Sequence, residues 1–145
     1  MLGDSIIRNV GIECPDIKFV CFPGIRTEQL QRVIEERDLG NPDAVVIHVG
    51  TNNIKRTRNL DYLMGDVYDM LITVKSEFAA SRFVLSGVLR RRDVSWRLIG
   101  ETNDRLEWVA STVGITFVDP NCWVNDRDYS GDGIHINRRG ARHLG

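Results

Sequence analysis

Apolar residues gather in short runs along the chain, separated by longer segments in which they recur every three or four positions. The short runs are rich in β-branched and aromatic residues, which is typical of strands. They cover Ile17 to Phe22, Ala44 to Gly50, Arg82 to Leu89 and Gly114 to Asp119. The second run, AVVIHVG, is almost continuously apolar, which predicts a strand that is covered on both faces.

Helical periodicity occupies the segments between these runs. It predicts helices from Thr27 to Glu36, from Leu60 to Phe78, from Trp96 to Val113 and, at the end of the chain, from Arg138 to Leu144. Strands that alternate with such helices form right-handed βαβ units. The expected fold class is therefore α/β, a three-layer α/β/α sandwich with a parallel sheet between two helical layers.

The 145 residues fit one domain, because no repeat, low-complexity tract or linker divides them. Only Met1 and Leu2 precede the first glycine, which is short for a buried strand, and the last helical pattern reaches the end of the chain. We therefore expect residues 1–145 to form a single domain that belongs to a longer parent chain.

Charge and cysteine content exclude several classes of protein. A formal net charge of -1 argues against a domain devoted to polyanion binding, and no apolar run is long enough for a membrane span or a signal-peptide core. Cys14, Cys21 and Cys122 are an odd number at spacings that suit neither a disulfide framework nor a zinc site. We expect an intracellular, cytoplasmic protein that needs no metal or other cofactor.

Candidate chemistry begins at Gly3-Asp4-Ser5, where the first strand should lead into a helix. Ligands of open parallel sheets bind beyond the carboxyl ends of the strands. A serine at such a junction has its hydroxyl at that edge and a backbone N–H without an intrahelical partner, so it can be both nucleophile and oxyanion donor. The alternative interpretation is an ordinary helix cap, for which Ser and Asp are both favoured.

Three later segments fall at the same predicted edge. FPGIRT places Gly24 after a strand, GTNN places Asn52 and Asn53 after the next, and SGDGIHIN places Asp132 three residues before His135. An Asn amide can donate to a developing oxyanion, and a His oriented by an acid can take a proton from a serine. Each segment alone also reads as an ordinary turn, but their order and shared edge favour an acyl-transfer site.

These four blocks resemble the SGNH, or GDSL-type, hydrolases. The blocks are GDS at residues 3–5, the glycine of FPG at residue 24, GTN at residues 50–52 and DGIH at residues 132–135. The resemblance spans nearly the whole chain. It implies a flavodoxin-like sheet of five parallel strands in the order 2-1-3-4-5.

The resemblance also implies a role for each matching residue. Ser5 would be the nucleophile, His135 the general base and Asp132 the acid that orients it. The oxyanion hole would comprise the N–H groups of Ser5 and Gly24 and the side-chain amide of Asn52. Asp4, the acid beside the serine, would then be structural.

Within this family, the compact form of the chain looks most like the esterase domains in the first open-reading-frame proteins of LINE-type non-LTR retrotransposons. The segments that carry this likeness are GDSIIRNV, VVIHVGTNN and GDGIHINRRGARHLG. One departure is Asn53, where many relatives of the family carry Asp. We expect this residue to affect loop packing more than the triad.

Arginine makes up all but three of the nineteen cationic residues and clusters near the predicted site edge. One interpretation is an ordinary solvated surface. The other is contact with an anionic partner, a phospholipid head group or an RNA backbone, through these loops. The clusters are Arg90, Arg91 and Arg92; Lys55, Arg56 and Arg58; and Arg138, Arg139 and Arg142.

The sequence thus predicts a serine esterase for a small acyl ester such as an acetate, acting through an acyl-enzyme. Trp123 and Tyr129, in the longest loop, are expected to line a small acyl pocket. The competing hypothesis is a hydrolase-fold binding module that serves its parent chain. A nucleotide-binding flavodoxin-like protein ranks last, since the phosphate loop it needs is missing after the first strand. His48 is expected in the core, His143 in solvent and Asp119 as a loop cap.

Overall fold

The computed structural model describes residues 1–10, 17–57 and 59–145. Its sheet has parallel strands that, numbered along the chain, lie in the order 2-1-3-4-5, which confirms the predicted fold class and strand order. The strands are β1 (Leu2–Gly3), β2 (Val20–Cys21), β3 (Ala44–His48), β4 (Arg82–Ser86) and β5 (Thr116–Val118).

The helices lie where the apolar periodicity predicts them, to within one residue. They are α1 (Thr27–Glu36), α2 (Leu60–Glu77), α3 (Trp96–Val113) and α4 (Arg138–Leu144). Short 3₁₀ helices occur at Ser5–Asn9, Pro120–Cys122 and Asp126–Asp128. The segment after the first strand is therefore a 3₁₀ helix in the described residues, tighter than the α-helix its sequence resembles.

The strands are shorter than the apolar runs that predict them. Within the part of the chain that the structure describes, β2 lies at the edge of the sheet and pairs with the two residues of β1. Beyond β3 and β4, Val49, Val88 and Leu89 remain buried although they are outside the hydrogen-bonded ladder. Apolar runs report burial, and burial here continues from the strands into the loops at the carboxyl edge.

Side-chain caps explain where the longer helices begin. Asn59, Ser95 and Asn137 precede α2, α3 and α4, and each side chain accepts a hydrogen bond from a backbone N–H in the first turn. Such caps satisfy donors that lack an intrahelical partner. The loops that carry the candidate site residues therefore end at defined positions.

Two apolar clusters hold the layers together. The larger joins helices α1, α2 and α3 to β1, β3 and β4 through residues such as Leu30, Leu71 and Leu85. The smaller joins the 3₁₀ helix at Ser5–Asn9 to α4 through Ile7 and Ala141. Because Ile7 has no exposed surface, the turn that presents Ser5 is packed from beneath.

Candidate active site

Ser5 follows β1 on a turn that close packing defines. A Cβ on Gly3 would lie 2.2 Å from the carbonyl oxygen of His48, so this strand approaches β3 more closely than any side chain permits. Asp4 is buried, and its Oδ1 accepts a hydrogen bond from the Ile6 N–H at 2.9 Å. As the first residue of the 3₁₀ helix, Ser5 retains a backbone N–H without an intrahelical partner.

Ser5, His135 and Asp132 form one hydrogen-bonded chain. The distance from Ser5 Oγ to His135 Nε2 is 3.2 Å, and that from His135 Nδ1 to Asp132 Oδ2 is 2.7 Å. The serine comes from the turn after β1, and the other two come from the loop before α4. The structure thus brings together residues 130 positions apart in the arrangement that activates a serine hydroxyl.

Asp132 uses both carboxylate oxygens. While Oδ2 faces the imidazole, Oδ1 accepts the backbone N–H groups of Ile134 and His135 at 2.9 and 3.0 Å. The hydrogen bond from His135, with these two backbone bonds, lowers the pKa of Asp132 to about 2. The carboxylate therefore stays ionised over the whole range in which an imidazole titrates.

The structure places the predicted oxyanion donors at two adjoining cavities. Asn52 shares with Ser5 and His135 a cavity of about 200 Å³. Gly24, at φ 76°, lines a neighbouring hollow to which Asn52 also contributes. The Asn52 amide donates one hydrogen to the Ile25 carbonyl at 2.9 Å and carries a second, so the loop after β3 is tied to the segment beside Gly24.

A three-residue ion-pair network lies beside this cavity. Arg91 donates from Nε and Nη2 to the two carboxylate oxygens of Asp93, at 2.5 and 3.0 Å, and Lys55 pairs with the same carboxylate. The hydrogen bonds from Arg91 and Lys55 hold the pKa of Asp93 far below its usual range. The network joins the loops that follow β3 and β4, and Lys55 and Arg91 both line the cavity at Ser5.

The arginine cluster at 90–92 therefore divides by position. The Arg91 side chain is only 4% exposed and is engaged by Asp93, so it is poorly placed to meet an outside partner. Arg90 and Arg92 are exposed and line a larger cleft next to the site. Exposed and buried arginines alternate along this irregular loop, and apolar periodicity does not reveal such an alternation.

Hydrogen bonds also account for the positions of His48, Asp119 and Cys21. His48 is buried and its Nδ1 lies 3.0 Å from Ser86 Oγ, as expected of a core histidine. Asp119 caps the 3₁₀ helix at Pro120–Cys122 by accepting from the Asn121 N–H. Cys21 Sγ donates to the Asp4 carbonyl, which ties β2 to the turn before Ser5. Cys14 and Arg58 lie outside the described residues.

Two expectations about the longest loop are wrong. Trp123 and Tyr129 do not line the cavity at Ser5: Trp123 is 56% exposed, and Tyr129 lines the arginine cleft instead. His143, in the last helix, is exposed as expected, and its Nδ1 also lies 3.1 Å from Oδ2 of Asp128. Asp128 has no exposed surface, and long-range packing of the C-terminal helix, invisible in the local sequence, creates this pair.

Sequence reasoning missed two groups that shape the site. One is the Arg91–Asp93–Lys55 network, for which the acid that follows three arginines in RRRD is a usable signal of an ion pair. The other is buried Asp128, which also pairs with Arg139 Nε at 3.0 Å. Burial raises the pKa of Asp128, but the Asn125 N–H, His143 and Arg139 outweigh that effect and lower it overall.

The chain belongs to the GDSL-like lipase/acylhydrolase family, whose model matches residues 2–143. It is therefore an ester hydrolase by class, and the SGNH-type resemblance of its motifs is confirmed at the level of the family. No curated protein matches the sequence significantly. Within residues 1–10, 17–57 and 59–145, no helix has the length and apolarity required to cross a membrane.

Solved structures show the same fold at low sequence identity. A protein from Streptococcus pneumonia superposes with a TM-score of 0.85 at 19% identity, over 99% of this chain and 78% of its own. A GDSL-like lipase from Bacteroides thetaiotaomicron gives a TM-score of 0.77 at 25% identity, over 96% and 79%. Axe2, an acetylxylan esterase from Geobacillus stearothermophilus, gives 0.73 at 16%, over 99% and 88%.

Proposed function

We propose that this ester hydrolase is a serine esterase that removes a short acyl group, such as acetyl, through a covalent acyl-enzyme. The observation that carries the proposal is the chain of contacts from Ser5 Oγ through His135 to Asp132, at 3.2 and 2.7 Å. A hydroxyl beside a basic nitrogen, with that ring held by a carboxylate, is what nucleophilic acyl transfer requires.

In the first half of the reaction, Ser5 Oγ attacks the ester carbonyl carbon while His135 Nε2 takes the hydroxyl proton. The carbonyl oxygen becomes an oxyanion, for which the N–H groups of Ser5 and Gly24 and the Asn52 amide are the proposed donors. Collapse of the tetrahedral intermediate breaks the bond to the leaving alcohol, which receives the proton from His135.

The second half repeats these steps with water. His135 accepts a proton from the water while the water oxygen attacks the acyl carbonyl carbon. The intermediate then releases the carboxylic acid, and the proton returns to Ser5 Oγ. The charge of Asp132 stabilises the imidazolium in both halves, and no step requires a metal.

The size of the cavity supports a short acyl group. About 200 Å³ is available beside Ser5, and the cationic side chains of Lys55 and Arg91 stand in its wall. A long alkyl chain there would lie against charged groups, which is unfavourable. An acetylxylan esterase among the proteins of similar fold is consistent with this preference.

The test is hydrolysis of 4-nitrophenyl acetate and its longer-chain homologues. We expect a rate that falls with acyl length, and a loss of roughly 10³-fold or more in kcat for Ser5→Ala and His135→Ala. Asn52→Ala should lower kcat by about 10²-fold or more, since it removes an oxyanion donor. Equal rates for the wild type and Ser5→Ala would refute the proposal.

A second candidate function is contact between the Arg-rich loops and an anionic partner, a phospholipid head group or an RNA backbone, in service of a parent chain. Exposed Arg90 and Arg92 favour it, whereas buried Arg91 does not contribute. Binding to anionic vesicles or RNA should weaken with added salt and with Arg90→Ala and Arg92→Ala. Unchanged binding in that variant rejects this candidate.

We also propose, from the motif likeness, that the nearest functional relatives are the esterase domains of LINE-type retrotransposon proteins. The support is the compact run from VVIHVGTNN to GDGIHINRRGARHLG. Sequencing the gene on both sides tests this assignment. An adjoining coiled-coil or nucleic-acid-binding segment supports it, and a gene without such segments opposes it.

A further inference from the structure

A second cleft adjoins the cavity at Ser5 and shares Arg91 with it as a common wall. The cleft encloses about 560 Å³. Ser130 and Gly133, which stand on either side of Asp132 in the sequence, both line it. Asn52 lines the Ser5 cavity and the Gly24 hollow but not this cleft. The cleft thus lies on the His135 side of the nucleophile, and the oxyanion donors lie on the other.

The cleft carries positive charge that the described residues do not cancel. Arg90 and Arg92 are exposed, and neither guanidinium forms an ion pair with any residue of the described ranges. Arg91 differs, because Asp93 neutralises it. Among the described lining residues, Asp126 supplies the opposing charge. Two free guanidinium groups against one carboxylate leave the cleft cationic.

The backbone of Arg92 is tied to the segment from Asp128 to His135, here called the triad loop. The Arg92 N–H donates to the Gly133 carbonyl at 2.8 Å, which ties the loop after β4 to the segment between Asp132 and His135. The Arg92 side chain also packs against this segment, since a Cβ on Gly133 would lie 2.8 Å from Arg92 Nε. Arginines on a flexible surface loop without contacts to the triad loop would not be positioned in this way.

Two aromatic residues complete the cleft. Trp96 is 79% exposed at the start of α3 and offers a flat apolar surface. Tyr129 lies deeper, and burial raises its pKa to about 12 against the opposing effect of Arg90. Tyr129 therefore stays neutral and does not offset the charge of Arg90. The cleft combines an aromatic surface with a cationic one.

The direction of the reaction decides which half of a substrate meets this cleft. His135 delivers its proton to the oxygen of the leaving alcohol, so that oxygen must lie on the His135 side of Ser5. The carbonyl oxygen must lie on the Asn52 side, where the oxyanion donors are. The alcohol half of the ester consequently points toward Arg90, Arg92 and Trp96.

We propose that this cleft binds the alcohol half of the substrate and selects alcohols that carry an anionic group such as a phosphate. The proposal rests on the proposed esterase function and specifies its substrate class. A guanidinium pair recognises phosphate on a small soluble alcohol or on a lipid head group by the same chemistry. Trp96 would contact the uncharged body of that alcohol.

The test uses acetate esters with matched leaving groups. The probes are 4-acetoxybenzenesulfonate, which carries its charge on the alcohol half, and neutral 4-acetoxybenzenesulfonamide. At low salt we expect kcat/KM to favour the anionic ester by about tenfold, and the ratio to fall as salt screens the arginines. In the double variant Arg90→Gln, Arg92→Gln the ratio should approach one.

Two controls separate this effect from general electrostatics. Arg32→Gln removes an exposed charge from α1, outside the cleft, and should keep the wild-type ratio. An ester charged on its acyl half, 4-nitrophenyl hydrogen succinate, should show no such dependence on Arg90 and Arg92 when compared with 4-nitrophenyl butyrate. Equal kcat/KM for the two sulfonyl esters, or a ratio that survives in the double variant, overturns the proposal.

A failure of the esterase function itself is distinguishable. If neither ester is hydrolysed in a Ser5-dependent way, the proposed function fails, and phenyl phosphate binding to Ser5→Ala protein then decides the cleft. Binding that the double variant abolishes supports an anion site, and absence of binding overturns it. This measurement needs no catalysis.

Inhibition identifies the source of the anion. Glycerol phosphate and vesicles of phosphatidylcholine with phosphatidic acid are compared as inhibitors of hydrolysis. Inhibition by glycerol phosphate indicates a small soluble alcohol, and inhibition by the vesicles alone indicates a lipid head group. Inhibition by neither contradicts the proposal.

Discussion

At the scale of single residues, the proposed chemistry depends on which partners the two carboxylate oxygens of Asp132 contact. Oδ1 is occupied by two backbone N–H groups, so only Oδ2 faces the imidazole. A carboxylate there favours the tautomer of His135 with its proton on Nδ1. Nε2 is then free to accept a proton from Ser5 Oγ, 3.2 Å away.

Asp132→Asn tests this division of roles. The Asn oxygen can still accept the two backbone N–H groups, which turns its NH₂ group toward Nδ1 and forces the proton of His135 onto Nε2. We expect kcat to fall by roughly 10⁴-fold with little change in KM, because the base is in the wrong tautomer. Steady-state hydrolysis of 4-nitrophenyl acetate measures both constants.

The matched control is Asp104→Asn, which removes an exposed carboxylate from α3 and should keep the wild-type rate. The pKa of Asp132, held at about 2, adds a pH signature. A carboxyl whose pKa is lower in the folded than in the unfolded protein stabilises the fold at pH values above its unfolded pKa. For Asp132 this contribution is lost as the pH falls toward about 2. A pH–rate profile that Asp132→Asn leaves unchanged would contradict the proposed role of Asp132.

The proximity of Ser5, Asp132 and His135, the proposed triad, could be predicted from sequence because it depends on short spacing and on position after a strand. Asp132 and His135 are three residues apart, and Ser5 follows a strand, so short spacing and strand order place them at one edge. Arg91 could not be placed in this way. Its burial depends on Asp93 and on the loop after β3, and neighbouring Arg90 and Arg92 have the same residue type with the opposite exposure.

At the scale of elements, Asn53 fastens the loop after β3 to the start of α1. Its Oδ1 accepts from the N–H and the hydroxyl of Thr27 at 3.0 and 3.2 Å, and its Nδ2 donates to Glu28 at 3.1 Å. Asn53 is 7% exposed. Because Asn52 is its neighbour, these bonds also position a proposed oxyanion donor.

Replacing Asn53 by Asp keeps the acceptor but sets a second carboxylate against Glu28. We expect the free energy of unfolding to fall by about 1 to 3 kcal/mol, since a partly buried donor is lost and like charges meet. Glu28→Gln restores a donor for the new carboxylate, so the double variant should recover most of the loss. Chemical denaturation of the four proteins in this cycle measures the coupling, and strictly additive effects would contradict it.

Helix positions could be predicted because periodicity, caps and strand spacing agree, as at Ser95 and Asn137. The lengths of the strands could not be predicted from the sequence. The run from Ile17 to Phe22 is apolar enough for a full strand, but its partner β1 contributes only Leu2 and Gly3 to the ladder. Pairing requires a neighbour of equal length, and that information lies elsewhere in the chain.

At the scale of the whole molecule, α4 holds the triad loop in place. The Asn137 N–H donates to the Asp128 carbonyl at 2.8 Å, and the Ser130 N–H donates to the His135 carbonyl at 2.8 Å. The Asp128 carboxylate, fully buried, anchors α4 through Arg139 and His143. The segment from Asp128 to His135 is thus closed at its base by the last helix.

Asp128→Asn should loosen the contact between α4 and the segment from Asp128 to His135. Removing the buried carboxylate leaves the Arg139 guanidinium without its ion-pair partner, so we expect lower stability at neutral pH. Because the folded pKa of Asp128 lies below its ordinary value, its contribution is present above the unfolded pKa, near 4, and is lost as the pH falls through the folded value. The stability difference between wild type and variant should therefore shrink on acidification below about pH 4.

Thermal unfolding of the two proteins across this pH range checks the prediction, with Asp126→Asn as the neighbouring exposed control. If α4 positions the triad loop, Asp128→Asn should also lower kcat at neutral pH, measured at a temperature well below the unfolding temperature of the variant. The control Asp126→Asn should keep the wild-type thermal stability. A variant as stable as the wild type, or a stability difference that persists unchanged into acid, would show that the buried carboxylate does not anchor the helix. Loss of stability with full kcat would show that α4 is held for the fold alone.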